Sequence, residues 1–254
     1  MIPKIIHMCW FGPDAYPKKI RYCIDSWKKH LPDYEIILWD SKRFDLNSLA
    51  WTKEAFEAGK YAFAADYVRF YAIYNYGGIY LDCDVEMIGT FDDLLDLPYF
   101  VGNEAYPSSI ELSAFGAEKG LAWVKDAMDH YVDRHFIKED GERDMVPLPF
   151  VMWPLLSQKY EVVLIDDVAK FDPDPSRICV FPQDWFNANP WAENGTRYLV
   201  TDKTRCIHHF ANSWLDTPYS GGKLHTLYYK LTGKDWKLSD KRFKLYGKQK
   251  QTKI

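Results

Sequence analysis

The stretch Gly77-Gly78-Ile79-Tyr80-Leu81-Asp82-Cys83-Asp84 constrains this chain most: a glycine pair, a short apolar run, then two aspartates one residue apart. The apolar run reads as a buried strand. On a strand the side chains at 82 and 84 share a face, so both carboxylates converge on one spot while Cys83 faces away. Two hard oxygen donors at a strand end outline a divalent-cation site and suit magnesium or manganese, which complete their shells with water and substrate phosphates. A nucleotide is the partner such a site expects. Asp-x-Asp by itself is common by chance, and on an exposed loop two solvated carboxylates are the simpler account.

The upstream segment argues against that simpler account. Tyr61 to Tyr76 reads as a helix, with Phe63, Tyr67, Phe70, Tyr71 and Tyr74 supplying large apolar bodies and Gly77 where a left-handed cap is wanted. Asp66 and Arg69 stand three apart on that helix and share a face aimed at the spot the strand delivers. Taken without their neighbours they read as an intrahelical ion pair.

Other segments alternate in the α/β manner. Ile2 to Met8 reads as a strand, Lys18 to His30 as a helix with Ile20, Cys23, Ile24 and Trp27 on one face, and Glu35 to Trp39 as a second strand. Tyr99 to Val101 is strand-like, and Asn103 and Glu104 just beyond it are weaker candidates for ligand contact. Glu118 to Phe136 reads as one amphipathic helix with Leu121, Val124, Met128, Tyr131 and Val132 inward. The pattern predicts a mostly parallel sheet with its ligand at the strands' carboxyl ends. Residues 140 to 190 are rich in Pro and Trp. Such rings can line a saccharide cleft, but core packing is the stronger account of them in so aromatic a chain.

At 254 residues the chain can bury a substantial core. No repeat or linker interrupts residues 1–220, which read as one domain. Residues 221–254 form a basic amphipathic extension suited to an anionic lipid surface, with a solvated helix as the plainer account. A net charge of −4 argues against nucleic-acid binding. Five cysteines without CxxC spacing fit a reducing compartment. The absence of a leader-like start or an apolar span predicts a cytoplasmic protein, peripheral on the inner membrane if the extension binds lipid.

Three separated motifs in order carry a family resemblance: Ile2 to Gly12, then Ala64-Ala65-Asp66-Tyr67-Val68-Arg69 with Tyr76 to Val85, then Ile207-His208-His209-Phe210-Ala211-Asn212-Ser213-Trp214. They resemble glycosyltransferase family 32, the sugar-binding-region enzymes with a DXD motif, which includes bacterial capsular-polysaccharide enzymes and yeast mannosyltransferases and is related to the large clostridial toxins. The resemblance implies a GT-A fold, with a Rossmann-like mixed central sheet flanked by helices, and a catalytic group of Asp66, Arg69, Asp82 and Asp84. It implies a nucleotide-sugar site of His7, Trp10, Asp66, Arg69, Asp82, Ser213 and Trp214, with Trp10 stacked on the base. It also implies a manganese or magnesium ion held by Asp82, Asp84 and a C-terminal histidine. Spacing to Asn212 favours His209 over His208 for that role. Asn212 itself stands where the family often has glycine.

By this resemblance the chain is a retaining, metal-dependent glycosyltransferase. It would move a hexose, from UDP-galactose or UDP-glucose because stacking by Trp10 suits uracil, to a lipid-linked saccharide acceptor in capsule or surface polysaccharide synthesis. A nucleotide-sugar hydrolase and a noncatalytic metal-dependent sugar-binding protein are the alternatives. Arg69→Ala is expected to lose donor binding without large unfolding.

Overall fold

The computed structural model describes residues 1–12, 15–104, 109–188 and 200–211. Strand β1 (Ile5–Cys9) lies at the heart of the sheet, paired in parallel with β2 (Glu35–Trp39) on one side and β3 (Gly78–Leu81) on the other. β3 meets β6 (Glu111–Ala117) antiparallel, and β6 meets β5 (Tyr99–Gly102) antiparallel, giving the order β2-β1-β3-β6-β5. Four strands therefore run one way and β6 alone runs against them, which makes the sheet mixed. The short return from β5 into β6 needs no crossover helix, and that is why this pair is antiparallel.

Helix α1 (Lys18–His30) has its expected bounds and buries the expected face, Ile20, Cys23, Ile24 and Trp27. The Trp27 indole donates to Val85 O at 2.7 Å, which ties the helix to β4 (Val85–Met87). After α2 (Ala50–Glu57), α3 (Tyr61–Tyr76) also matches its sequence bounds. It is buried on nearly all sides, as an apolar helix without a wet face must be. Gly77 ends it at φ 67 and ψ −178, an extended positive-φ turn rather than the left-handed helical cap expected. Gly78 follows at φ 110, where a Cβ would lie 2.7 Å from Ile5 O. Only this glycine lets β3 lie so close to β1.

The expected Glu118–Phe136 helix is shorter. Gly120, at φ 81, delays its start, and α4 spans Ala122–Asp129. Beyond Asp129 the chain turns, and Val132 is 44 % exposed rather than inward. After α5 (Leu148–Leu156), β7 (Glu161–Leu164) pairs in parallel with β8 (Arg177–Val180), and α6 (Gln183–Phe186) leads towards β9 (Cys206–His208), which pairs antiparallel with β4. The aromatics of this half include core residues: Trp185, fully buried, stacks on Phe181 at 4.7 Å.

Met1–His209 forms one compact unit. The five cysteines are free thiols. Among the described residues no helix is long and apolar enough to cross a membrane. The predicted extension at 221–254 lies outside the described residues, as do Asn212, Ser213 and Trp214.

Candidate active site

The Asp82–Asp84 segment follows the end of β3 and forms a turn into β4, closed by Val85 N donating to Asp82 O at 3.0 Å. The two carboxylates thus converge through a turn and not through the strand pleat expected. Asp82 N donates to Ser113 O, and the Cys83 thiol bonds back to Cys9 O at 3.0 Å, leaving 82 and 84 on the other side. The β4–β9 register sets Val85 opposite His208. His208 Nε2 consequently stands 3.5 Å from Asp84 Oδ1, and one ligand atom each from Asp82, Asp84 and His208 lie within 4.8 Å of one another.

His209, the histidine favoured from spacing, is not in this cluster. Its backbone N–H donates to Asp84 O, while its ring Nε2 sits 3.0 Å from Glu86 Oε2. Consecutive residues of an extended segment point to opposite sides, so one of the pair had to turn away. The geometry gathers His208, the alternative of the pair, with Asp82 and Asp84.

From α3, Arg69 reaches the same spot. Its Nη2 lies 3.0 Å from Asp66 Oδ1 and 3.5 Å from Asp82 Oδ1, and its Nη1 donates to Leu112 O at 2.9 Å. The guanidinium lies over the Tyr80 ring, 4.6 Å from its centroid, and the Tyr80 hydroxyl donates to Asp82 Oδ1 at 2.9 Å. Asp66 and Arg69 do form the ion pair the helix spacing allows, and through Asp82 that pair is part of the site.

The electrostatics of the cluster favour added positive charge. Burial lifts the Asp66 carboxyl to about 7 against the pull of Arg69. Burial likewise raises Asp82, with Arg69 opposing and Asp84 reinforcing. Burial alone would lower the His208 imidazole; Asp84 beside it, then Glu111 and Asp82, carry it up to about 9. The anions that hold a proton on His208 are those that would hold a cation in its place. Two carboxylates and an imidazole at this spacing need only a small contraction to ligate magnesium or manganese, so the residues fit the ion the sequence implies.

Two further sequence candidates part ways. Trp10 follows β1 directly, half-buried, with its indole edge-on to Tyr16 at 5.0 Å. His7 is fully buried: its Nε2 donates to Gly77 O at 2.8 Å and its Nδ1 accepts from the Trp39 indole at 3.0 Å. With both nitrogens engaged inside the core, His7 braces β1 against β2 and the end of α3.

The sequence reading overlooked Glu111 and Asn187. Glu111 Oε1 accepts from Ser113 N at 2.6 Å, and its Oε2 accepts from Asn187 Nδ2 at 3.2 Å. Glu104, a weaker candidate, lies beside Glu111 and within the field of His208, and burial followed by Glu111 lifts its carboxyl to about 8. The available signal was an acidic residue opening a strand otherwise made of small and apolar residues, Glu111-Leu112-Ser113-Ala114-Phe115.

A family model described as a glycosyltransferase sugar-binding region containing DXD motif matches residues 17–101. Over this region the chain is similar to the DXD-motif glycosyltransferases. The match takes in Asp66, Arg69, Asp82 and Asp84 and stops before His208. Among curated relatives of this DXD-motif chain, inositol phosphoceramide mannosyltransferase 3 of Schizosaccharomyces pombe is 37% identical over 126 residues, 47% of this chain and 34% of the relative. A mannosyl phosphorylinositol ceramide synthase of Saccharomyces cerevisiae is 32% identical over 124 residues, 46% of this chain and 32% of the relative. The chain thus spans about a third of the length of these relatives. Among solved structures, the PaToxG glycosyltransferase aligns over 62% of this chain and 68% of its own, with 23% identity and a TM-score of 0.49.

Proposed function

We propose that this chain transfers a hexose from a nucleotide sugar to a hydroxyl of a lipid-linked acceptor, with retention of anomeric configuration, using a divalent cation held by Asp82, Asp84 and His208. The observation that carries this is the convergence of those three side chains beside the buried Asp66–Arg69 pair, inside and just beyond the region that matches the DXD-motif family.

When bound, the cation neutralises charge that develops on the departing nucleoside diphosphate. Arg69 holds Asp82 and Asp66 in place and also fixes the β6 backbone at Leu112, so it is a positioning residue. Tyr80 orients the Asp82 carboxylate from its hydroxyl. Trp10, at the carboxyl end of β1, offers an indole for the base. The names of the curated relatives, mannosyltransferases acting on inositol phosphoceramide, support a mannose donor and a phosphoinositol-bearing lipid ahead of UDP-galactose or UDP-glucose and a capsule precursor. The setting that suits such an acceptor is the cytoplasmic surface of a membrane.

The test is titration calorimetry and slow-hydrolysis assay of GDP-mannose, UDP-galactose, UDP-glucose and UDP-N-acetylhexosamines, each with manganese and with chelator. Manganese-dependent binding and turnover of one donor is the expected result. Failure of every donor to bind in manganese would sink the transferase reading.

A further inference from the structure

A second set of polar groups lies directly behind the cation cluster. Val85 and Met87 point into the core, so the pleat of β4 turns Glu86, between them, to the other face. Glu86 is nevertheless buried, and both of its oxygens are engaged. Oε1 accepts from the Tyr22 hydroxyl of α1 at 2.7 Å, and Oε2 lies 3.0 Å from His209 Nε2. Burying a carboxylate is costly unless such partners are in place. The backbone of His209 is held as well: its N–H donates to Asp84 O at 3.1 Å, and Lys19 Nζ donates to its carbonyl at 3.2 Å.

Of the two strands that meet here, β4 is already fixed. Three side chains of α1 grip its successive residues: the Trp27 indole donates to Val85 O, the Tyr22 hydroxyl to the Glu86 carboxylate, and Met87 N donates to Ser26 Oγ. The register of β9 is what remains to be set, and β9 contributes only Cys206, Ile207 and His208 to the pairing. Cys206 and Ile207 are both fully buried, so a slip by one residue, which turns every side chain to the opposite face, would trade one apolar side chain for another and put neither in water.

The same slip would trade one histidine for the other. With His209 in the place of His208, Asp82 and Asp84 would still meet an imidazole, so the cluster does not choose between the two registers. Glu86 does. That slip would set Phe210 where the His209 ring now meets Oε2, and a buried carboxylate would lose a donor that a phenyl ring cannot replace.

We propose that Glu86 and Tyr22 are positioning residues for the cation site: by holding the His209 ring they select the register of β9 that presents His208 to Asp82 and Asp84. This rests on the transferase reading above only through the cation it places there.

The test uses manganese alone on the full chain, with affinity read by calorimetry and imidazole ligation read by electron spin-echo modulation from nitrogen bound to the ion. The wild type should show the nitrogen signal and His208→Ala should lose it. Glu86→Leu combined with His208→Ala should regain it, because β9 is then released to offer His209. His209→Gln, whose amide can donate to Glu86, should keep the signal and bind manganese within about two-fold of the wild type, whereas His209→Leu should bind it on the order of 10-fold more weakly. The His209 pair decides the matter if Glu86→Leu does not fold. No manganese binding by the wild type, loss of the nitrogen signal in His209→Gln, equal affinity in the two His209 variants, or a folded double variant without the signal would each overturn the proposal. A protein that meets these expectations but binds no nucleotide sugar would keep the positioning role and refute the transferase reading instead.

Discussion

Asp84 occupies a turn whose closing hydrogen bond runs through Asp82 O and Val85 N, so the local backbone does not depend on the Asp84 charge. Asp84→Asn should therefore weaken manganese-dependent donor binding by on the order of 100-fold, read by calorimetry, while urea unfolding stays cooperative but shows lower metal-free stability, because the Asp84 charge is the chief partner of the His208 imidazolium. Arg69 behaves differently. Both members of its pair are 6 % exposed, and removing the guanidinium would strand Asp66, Asp82 and the Leu112 carbonyl. The structure revises the Arg69→Ala expectation: Arg69→Met should lose about 3–5 kcal/mol in urea unfolding, partly restored by Asp66→Asn in the same chain. His7 yields a pH prediction. Burial holds its imidazole at about 4 even though the Gly77 carbonyl favours the proton, and nearby Arg43 pushes the same way as burial. The unfolded ring takes its proton near 6.5, so the His7 contribution is whole above that pH, declines as pH falls towards 4 and is flat below, a change of about 3 kcal/mol. Asp66, raised by burial, acts in the opposite sense over part of that range. The readout is therefore the difference in pH slope between the wild type and His7→Gln. The spacing of Asp66, Arg69, Asp82 and Asp84 was legible because each pair is local. The choice between His208 and His209 was not, because it depends on how β9 registers on a strand far away in sequence.

Among elements, those with clear periodicity and firm ends were readable to the residue: α1 by its apolar stripe, α3 by the glycine pair that stops it. The region from Glu118 to Phe136 misled because its apolar spacing continues past the point where the backbone turns, and periodicity does not sense Gly120 at positive φ. The Asp-x-Asp segment misled differently, since a tight turn can gather alternate side chains as well as a strand can. The glycine pair gives the prediction at this scale. Gly78→Ala places a Cβ 2.7 Å from Ile5 O at φ 110, and should cost several kcal/mol, on the order of 2–4, by chemical denaturation. Gly59→Ala, at φ 70 in open space, bears only backbone strain and should cost about 1 kcal/mol. The contrast separates steric closure of β1 on β3 from conformational preference.

At the level of the whole molecule, the α/β class and the common carboxyl edge of the strands followed from alternating segments, whereas the reversal of β6 did not, because pairing direction is set by a loop and not by a pattern. If a cation binds the folded chain alone, manganese at 100 times its dissociation constant should add about 2.7 kcal/mol of stability, seen as a rise in melting temperature that Asp84→Asn abolishes. His208, on β9, comes from near the end of the described chain, while Asp82 and Asp84 lie in its first half. A polypeptide emerging amino-terminus first would carry Asp82 and Asp84 out long before anything could pair with β4. Until β9 docks, the growing chain holds two crowded carboxylates without the imidazole that completes the cluster. Loop closure over such a span is also among the slower steps a chain can make. Assembly of the cluster and docking of β9 on β4 are then one event in time.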